Sequence, residues 1–429
     1  MNIIVHRGLE QIGGCITEVS TETSRVFIDM GQNLPGNGPE TTPDEDRKMV
    51  EGFFGSNAKR DEAVVYTHSH EDHVGLFCYV PDGVPQYIGE GGKKILLAKY
   101  NLLKKGHERC LSEIASAASS SAEGGQALAE RLRQAVEEDD ARIRKLKAFL
   151  AWKRAKPHTQ PDSFMVGDIR ITPFFNCHSV YDSYMLLIEA DGKRIWHTGD
   201  YREHGYMGGG LMPTLRRYAT DIDVLITEGT MLGRDDGCMH EREVARRMAC
   251  VMNAFKYVVV LASATDIERL ASVKEAAKKA HRAWYICSSY MDRTTRIFTE
   301  REAKVSRGLF EFRPQFVAGR DDPKIPAMKR KGFVLVRGVN KLALVEEICG
   351  AMDPSEVLLV YSSWDGYYKN PEQVRINPSY KMFREAFSNV VDIHTSGHAD
   401  KATIRRVVET VNAKEVICIH KEKGTTLDS

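Results

Sequence analysis

The segment Thr67-His68-Ser69-His70-Glu71-Asp72-His73 puts three imidazoles and the Asp72 carboxylate within six residues, directly behind the short apolar run Ala63 to Thr67. Such a run reads as a buried strand, so the fold must bring a strand end to the place where these side chains converge. In an extended or tightly turning backbone, alternate residues share a face. His68 and His70 can then bind one ion while Asp72 and His73 turn towards a second. Imidazole and carboxylate together suit zinc or manganese. Two ions need more ligands than this segment holds, and later strand ends offer them: His178 in Asn176-Cys177-His178-Ser179, and Asp200 in Thr198-Gly199-Asp200-Tyr201. They fit a terminal ligand and a carboxylate bridging the pair. His197, just upstream, reads as a structural residue.

The remaining sequence limits what can surround such a site. With 429 residues, 42% of them hydrophobic, the chain can bury a core for two domains, or for one with a sizeable insertion. Strands are expected at Asn2 to Arg7, Cys15 to Ser20 and Arg25 to Asp29, and again at Ile169 to Asn176, Tyr184 to Ala190, Lys193 to Thr198 and Val224 to Thr227. Between them, Lys93 to Lys156 has apolar residues, including Leu128, Leu132, Ile143, Leu146 and Leu150, at spacings near three and four. That predicts a helical hairpin broken at Ser119 to Gly125 and projecting from the first domain. Surface decoration, dimerisation to a homodimer and a lid all remain open as its role. Beyond Gly233 helices and strands alternate, which suggests a mainly parallel α/β insertion.

No stretch nears the roughly 18 apolar residues of a membrane span, and the first residues lack a signal peptide's basic and apolar regions. The expectation is a cytoplasmic protein with no membrane partner. Nine cysteines, scattered without CxxC pairs, read as reduced thiols and not as a disulfide framework or thiolate zinc site. A net charge of +1 argues against coating nucleic acid through an overall field, so a polyanion needs a local patch. Lys274 to Arg282, Arg293 to Arg307 and Lys324 to Arg337 are the candidates.

The ordered series of Asp29 in Phe27-Ile28-Asp29-Met30-Gly31, His68 to His73, His178 and Asp200 resembles the four successive motifs of the metallo-β-lactamase superfamily. Three later motifs, Thr227-Glu228-Gly229-Thr230, Thr395-Ser396-Gly397-His398-Ala399 and Ile417-Cys418-Ile419-His420-Lys421-Glu422, resemble those of its β-CASP nuclease branch, which includes ribonuclease J. The resemblance implies an α/β fold, an αββα sandwich with an inserted β-CASP domain. Residues 1–230, with the hairpin at 93–156, would form the sandwich, 231–385 the insertion, and 386–429 the return to the sandwich. It implies that His68, His70 and His178 hold one divalent ion, that Asp72, His73 and His420 hold the other, and that Asp200 bridges them. Asp29 would orient the histidine cluster from behind, and Glu228 would hold His398 protonated near a scissile phosphate.

Asp72, His398 and Glu228 are thus the expected catalytic residues, with two ions, zinc or else manganese, as cofactors. Paired cations lower the pKa of a shared water and neutralise charge on phosphoryl oxygens, while a protonated His398 serves the leaving oxygen. The expected activity is hydrolysis of phosphodiesters in single-stranded RNA, more than in DNA, by an exo- or endonuclease. A metallo-hydrolase of a small ester or cyclic phosphodiester, and an inactive nucleic-acid-binding relative, are the rival readings. Arg202, His204, Ser362, Trp364, Ser396 and Lys421 are candidate substrate contacts. The aromatic run Tyr361 to Tyr368 either stacks bases or packs on itself. Where ribonuclease J has a Gly-Ser-Gln-Gly-Glu-Pro loop, this sequence has Gly338-Val339-Asn340-Lys341, and it ends soon after His420 without a match to that family's further domain. The resemblance therefore carries no expectation of 5′-end recognition or of that family's oligomer.

Overall fold

A computed structural model describes residues 1–427 except 56–59, 117–122, 157–158, 235–236, 303–305, 307, 341 and 351. Most of the expected break in the hairpin, Lys341, and part of the run Arg293 to Arg307 fall outside the described residues.

Eighteen strands among the described residues form three six-stranded sheets. The first is laid down in chain order: β1 (Asn2–Arg7), β2 (Ile16–Ser20), β3 (Ser24–Ile28), β4 (Asp61–Val65), β5 (Gln86–Gly89) and β6 (Leu150–Trp152). The second runs from β7 (Phe164–Val166) through β8 (Ile169–Asn176), β9 (Ser183–Ala190), β10 (Lys193–His197) and β11 (Val224–Glu228) to the last strand of the chain, β18 (Glu415–Ile419). Successive residues of a strand point to opposite faces, and the side chains of β9 divide between two cores accordingly. Leu186 and Ile188 join Val19, Val26, Ile28 and Val65 of the first sheet in one core. Met185 and Leu187 face the other way, onto the helices Leu211–Tyr218 and Lys401–Val411. The outer face of the first sheet is covered by Val50, Leu96, Tyr100, Ile143 and Leu146 from its own helices. Both sheets are thus sealed on both sides, giving an αββα sandwich.

The third sheet lies between β11 and β18 in the chain. Its order is β14 (Gln315–Phe316), β13 (Trp284–Ile286), β15 (Phe333–Arg337), β12 (Tyr257–Leu261), β16 (Val357–Tyr361) and β17 (Val390–Asp392), and every pairing is parallel. Tyr-Val-Val-Val-Leu of β12 is buried throughout, as a parallel strand covered on both faces must be. The expected α/β architecture is therefore present. Its sheet runs past residue 385, because β17 pairs with β16 as its edge.

The hairpin helices Glu90–Ser116 and Glu123–Ala148 pack on each other, joined by an ion pair from Lys104 to Asp140 (2.7 Å) and a hydrogen bond between His107 and Asp139 (3.0 Å). The second helix stops at Ala148, short of the expected Lys156. Leu150 belongs instead to β6, because the chain there pairs parallel with β5. The base of the first helix also reaches the inserted unit, where Glu90 pairs with Arg301 of helix Ser289–Glu302 at 2.8 Å. No helix among the described residues is long and apolar enough to cross a membrane.

Two of the basic runs are partly engaged within the fold. Lys274 donates to the carbonyls of Gly308 and Leu309, and Arg337 is buried and donates to Asn340 and Cys287.

Candidate metal centre

The strand β4 ends in a bend that turns through Thr67 to His70 into the one-turn helix Glu71–Val74. Alongside it runs the segment Asp29–Gln32, tied by backbone bonds from Met30 to His73 (2.7 Å) and from Gln32 to Glu71 (2.9 Å). Gly31 makes this approach possible: a Cβ there would stand 1.8 Å from the Asp72 carbonyl oxygen. Gly31→Ala should cost about 3 kcal/mol or more of stability, the upper end of overpacking penalties, and shift the urea midpoint accordingly.

Asp29 sits at a φ of 62°, a conformation that Asp tolerates better than most residues, and it aims both carboxylate oxygens at the histidine segment. It accepts from the Thr67 amide (2.7 Å), the Thr67 hydroxyl (2.8 Å) and His73 Nδ1 (2.7 Å). The Thr67 hydroxyl in turn faces His68 Nδ1 at 3.0 Å. His178 Nδ1 meets the Gly397 carbonyl at 2.7 Å, and His420 Nδ1 meets the Thr230 hydroxyl at 2.7 Å. In each of these four rings the hydrogen-bond network assigns a proton to Nδ1, which makes Nε2 the atom that can ligate. At His73, burial is outweighed by Asp200 and Asp29, which hold the pKa well above the usual histidine range, so a cation would displace a second proton from Nε2.

Those Nε2 atoms converge. His68 Nε2 and His178 Nε2 each lie 3.2 Å from His70 Nδ1. Asp200 Oδ2 lies 3.2 Å from His73 Nε2, 3.6 Å from those of His178 and His420, and 3.8 Å from that of His68. Asp72 Oδ2 is 3.1 Å from His420 Nε2 and 3.8 Å from His73 Nε2. Asp200 Oδ2 and His73 Nε2 are buried without any hydrogen-bond partner. Burial presses His68 and His178 well below the ordinary histidine range and His70 down to about 4, so these three favour the neutral, ligating form. Orphaned buried acceptors and facing lone pairs are costly unless a cation lies among them. The donor set, five imidazoles and two carboxylates, fits divalent ions of the zinc or manganese kind. His197 stands apart, accepting from the Gly199 amide at 3.1 Å.

At the rim, His398 Nδ1 bonds Glu228 Oε2 at 2.9 Å and lies 3.7 Å from Asp200 Oδ2. Burial alone would lower the His398 pKa, but Glu228, aided by Asp200 and Asp72, lifts it to about 9. Glu228 is itself held by the Tyr201 amide (2.9 Å) and the Thr230 hydroxyl (2.7 Å). Thr230 therefore links His420 to Glu228, and Thr67 links His68 to Asp29. Nothing in the spacing of either threonine marks these roles.

The six expected substrate contacts divide. Arg202 is fully buried, ion-paired with Glu241, Asp266 and Glu268, so it is not a surface phosphate ligand. Ser362 is likewise buried, bonded to Ile393 and Arg269. His204, held near a pKa of 4 by burial and by Arg202, meets the Ser396 carbonyl at 2.7 Å. The Ser396 hydroxyl accepts from the His398 amide at 3.1 Å, within its own loop. Trp364 is half-buried, with Arg234 over its ring at 5.3 Å and Tyr367 at its edge, while Tyr367 stacks on Tyr380. The aromatic run thus packs largely against itself. Lys421 is half-buried directly after His420.

No family model matches the chain. It is similar to an RNase J-like protein of Methanocaldococcus jannaschii, 28% identical over 237 residues, which are 52% of this chain and 41% of that protein. It is also similar to ribonuclease J of Sinorhizobium meliloti, 21% identical over 414 residues, 92% of this chain and 64% of the relative. The chain thus spans less than two thirds of the length of these curated relatives. Among solved structures, a protein of unknown function from Enterococcus faecalis V583 superposes with a TM-score of 0.66 at 17% identity, covering 98% of this chain and 93% of that one. That likeness is one of fold.

Proposed function

We propose that the chain is a metal-dependent phosphodiesterase acting on nucleic acid, single-stranded RNA before DNA, in the cytoplasm. The observation that carries this reading is the convergence of the unpartnered Asp200 Oδ2 on four imidazole nitrogens, with the His398–Glu228 pair beside it. The names of the curated relatives support the substrate class. His68, His70 and His178 would hold one ion, and Asp72, His73 and His420 the other, with Asp200 between them. When bound, such a pair supplies positive charge for the phosphoryl oxygens and a water of lowered pKa.

The protein's own groups do the rest. Asp29, Thr67, Thr230 and the Gly397 carbonyl keep four rings turned inward, so the ligands need not reorganise. With Nδ1 fixed on Glu228, His398 can present Nε2–H to a leaving oxygen. The inserted unit, residues 231–392 in this reading, would cover a polymer groove.

The test is metal analysis with incubation of labelled single-stranded RNA, single-stranded DNA and duplex DNA. Wild type is set beside Asp72→Asn and His398→Ala. About two ions per chain and cleavage reduced at least tenfold in both variants are expected. Less than one ion per chain, or full cleavage in both variants, would sink the proposal. Turnover of a small phosphodiester but of no polymer would move the assignment to a small-molecule esterase.

A further inference from the structure

Arg202 lies where the helices of the inserted unit meet the loop that carries His398. Its guanidinium donates to Glu241 (3.4 Å), Asp266 (3.1 Å), Glu268 (2.9 Å) and the Ser396 carbonyl (3.2 Å). Arg269, from helix Ile267–Lys279, shares Glu241 (2.9 Å) and donates to the Thr395 carbonyl (3.1 Å) and the Ser362 hydroxyl (2.7 Å). The Ser362 hydroxyl donates in turn to the Ile393 carbonyl at 2.7 Å. His204 adds a second donor to Ser396, and His178 donates to Gly397. Between Ile393 and Gly397, four carbonyls therefore accept from buried side chains. Two guanidiniums and three carboxylates are costly to take out of water, and such clusters are better accounted for by the single geometry they impose than by stability.

We propose that Arg202 is a positioning residue: with Arg269 it latches the loop 393–398 to the inserted unit. The seating of that unit then sets where the His398 ring points, and it keeps the Gly397 carbonyl in place for His178. Being fully buried, Arg202 acts only through the loop. The latch rests on the reading of His398 as the leaving-group acid. That reading gives it a signature which a merely structural role lacks, because misplacing the loop penalises a substrate whose leaving alkoxide needs a proton more than one that leaves without.

The experiment compares wild type, Arg202→Lys and His398→Ala at saturating Zn2+ on a ribodinucleotide and on the p-nitrophenyl phosphodiester of the same nucleotide. Zinc affinity is measured in parallel by competition with a chromogenic chelator. Lysine keeps the charge but loses the planar fork that reaches several acceptors at once. In Arg202→Lys the ratio of dinucleotide to nitrophenyl turnover should fall about tenfold or more, in the direction of His398→Ala. Zinc affinity should fall about tenfold, as for loss of a partner behind a ligating histidine. Should Arg202→Lys not fold, Ser362→Ala, which removes the hydroxyl that accepts from Arg269 and donates to Ile393, is expected to shift both readouts the same way by a smaller factor. Parallel loss on both substrates with wild-type zinc affinity would overturn the proposal. A ratio that falls in His398→Ala but not in the latch variants would overturn the latch alone, while a wild type that cleaves neither substrate would overturn it together with the proposed function.

Discussion

Asp200→Asn should lower the metal content to one ion or fewer per chain and slow cleavage of single-stranded RNA by more than the roughly 10²–10⁴-fold attached to a general acid. The substitution keeps the shape and removes only the charge, so geometry predicts its effect directly. Asp200 Oδ2 is the atom on which the Nε2 atoms of His68, His73, His178 and His420 converge, between 3.2 and 3.8 Å, and it accepts no hydrogen bond from the protein. An amide in its place is a weak ligand for either ion and cannot balance two of them. Burial pushes the Asp200 pKa up, yet His420 and His73 pull it well below the usual carboxylate range. A depressed carboxylate contributes stability that is present above its unfolded pKa of about 4 and lost as pH falls through the folded value. In the metal-free protein, therefore, the variant should melt earlier than wild type near neutral pH, and the gap should close towards strong acid. Elemental analysis after dialysis and a gel-based cleavage assay check the first claim. Two ions retained with a rate within tenfold of wild type would refute it.

The cluster of candidate ligands was legible because chemistry and position coincide in it. Imidazoles and carboxylates at strand ends need a common purpose, and β4, β8, β10 and β18 do end at one place. Arg202 shows the opposite case. An arginine two residues after Asp200 looks like a phosphate contact, and its burial depends on Glu241, Asp266 and Glu268 arriving from a unit folded later in the chain. Pairwise contacts across such separations leave no local pattern. Leu150 fails for a related reason: its apolar spacing continues a helix, but pairing with β5 offers the backbone partners that a helix end lacks. Gly31 is silent in sequence because what it avoids, the Asp72 carbonyl, is an atom of another segment. The motifs marked where the chemistry gathers, while the scaffold that aims it required the tertiary fold.

Glu228→Gln isolates the acid half of the proposed chemistry. The glutamine oxygen can still accept from the Tyr201 amide, so that anchor survives, while its NH2 stands where Glu228 Oε2 accepts from the Thr230 hydroxyl and from His398. What it loses is the charge opposite His398 Nδ1 at 2.9 Å. Burial works against the imidazolium, and Glu228 is the leading group that outweighs it, carrying the His398 pKa to about 9. In wild type, the acid form should then persist through neutral pH, and activity on RNA should fall as pH rises through about 9. Without Glu228 the burial penalty is left less opposed, and the basic limb should move towards neutral or lower. At pH 8 the variant should lose roughly 10²–10³-fold on RNA, and much less on a nitrophenyl ester, whose leaving group needs no proton. The linkage has the same sign. A histidine raised in the folded state adds stability that is whole below its unfolded pKa of about 6.5 and lost as pH rises through about 9. The melting temperature of Glu228→Gln should accordingly differ most from wild type below neutral pH. A pH–rate profile whose basic limb stays near 9 in the variant would show that some other group donates the proton, and His398 would then lose its assignment.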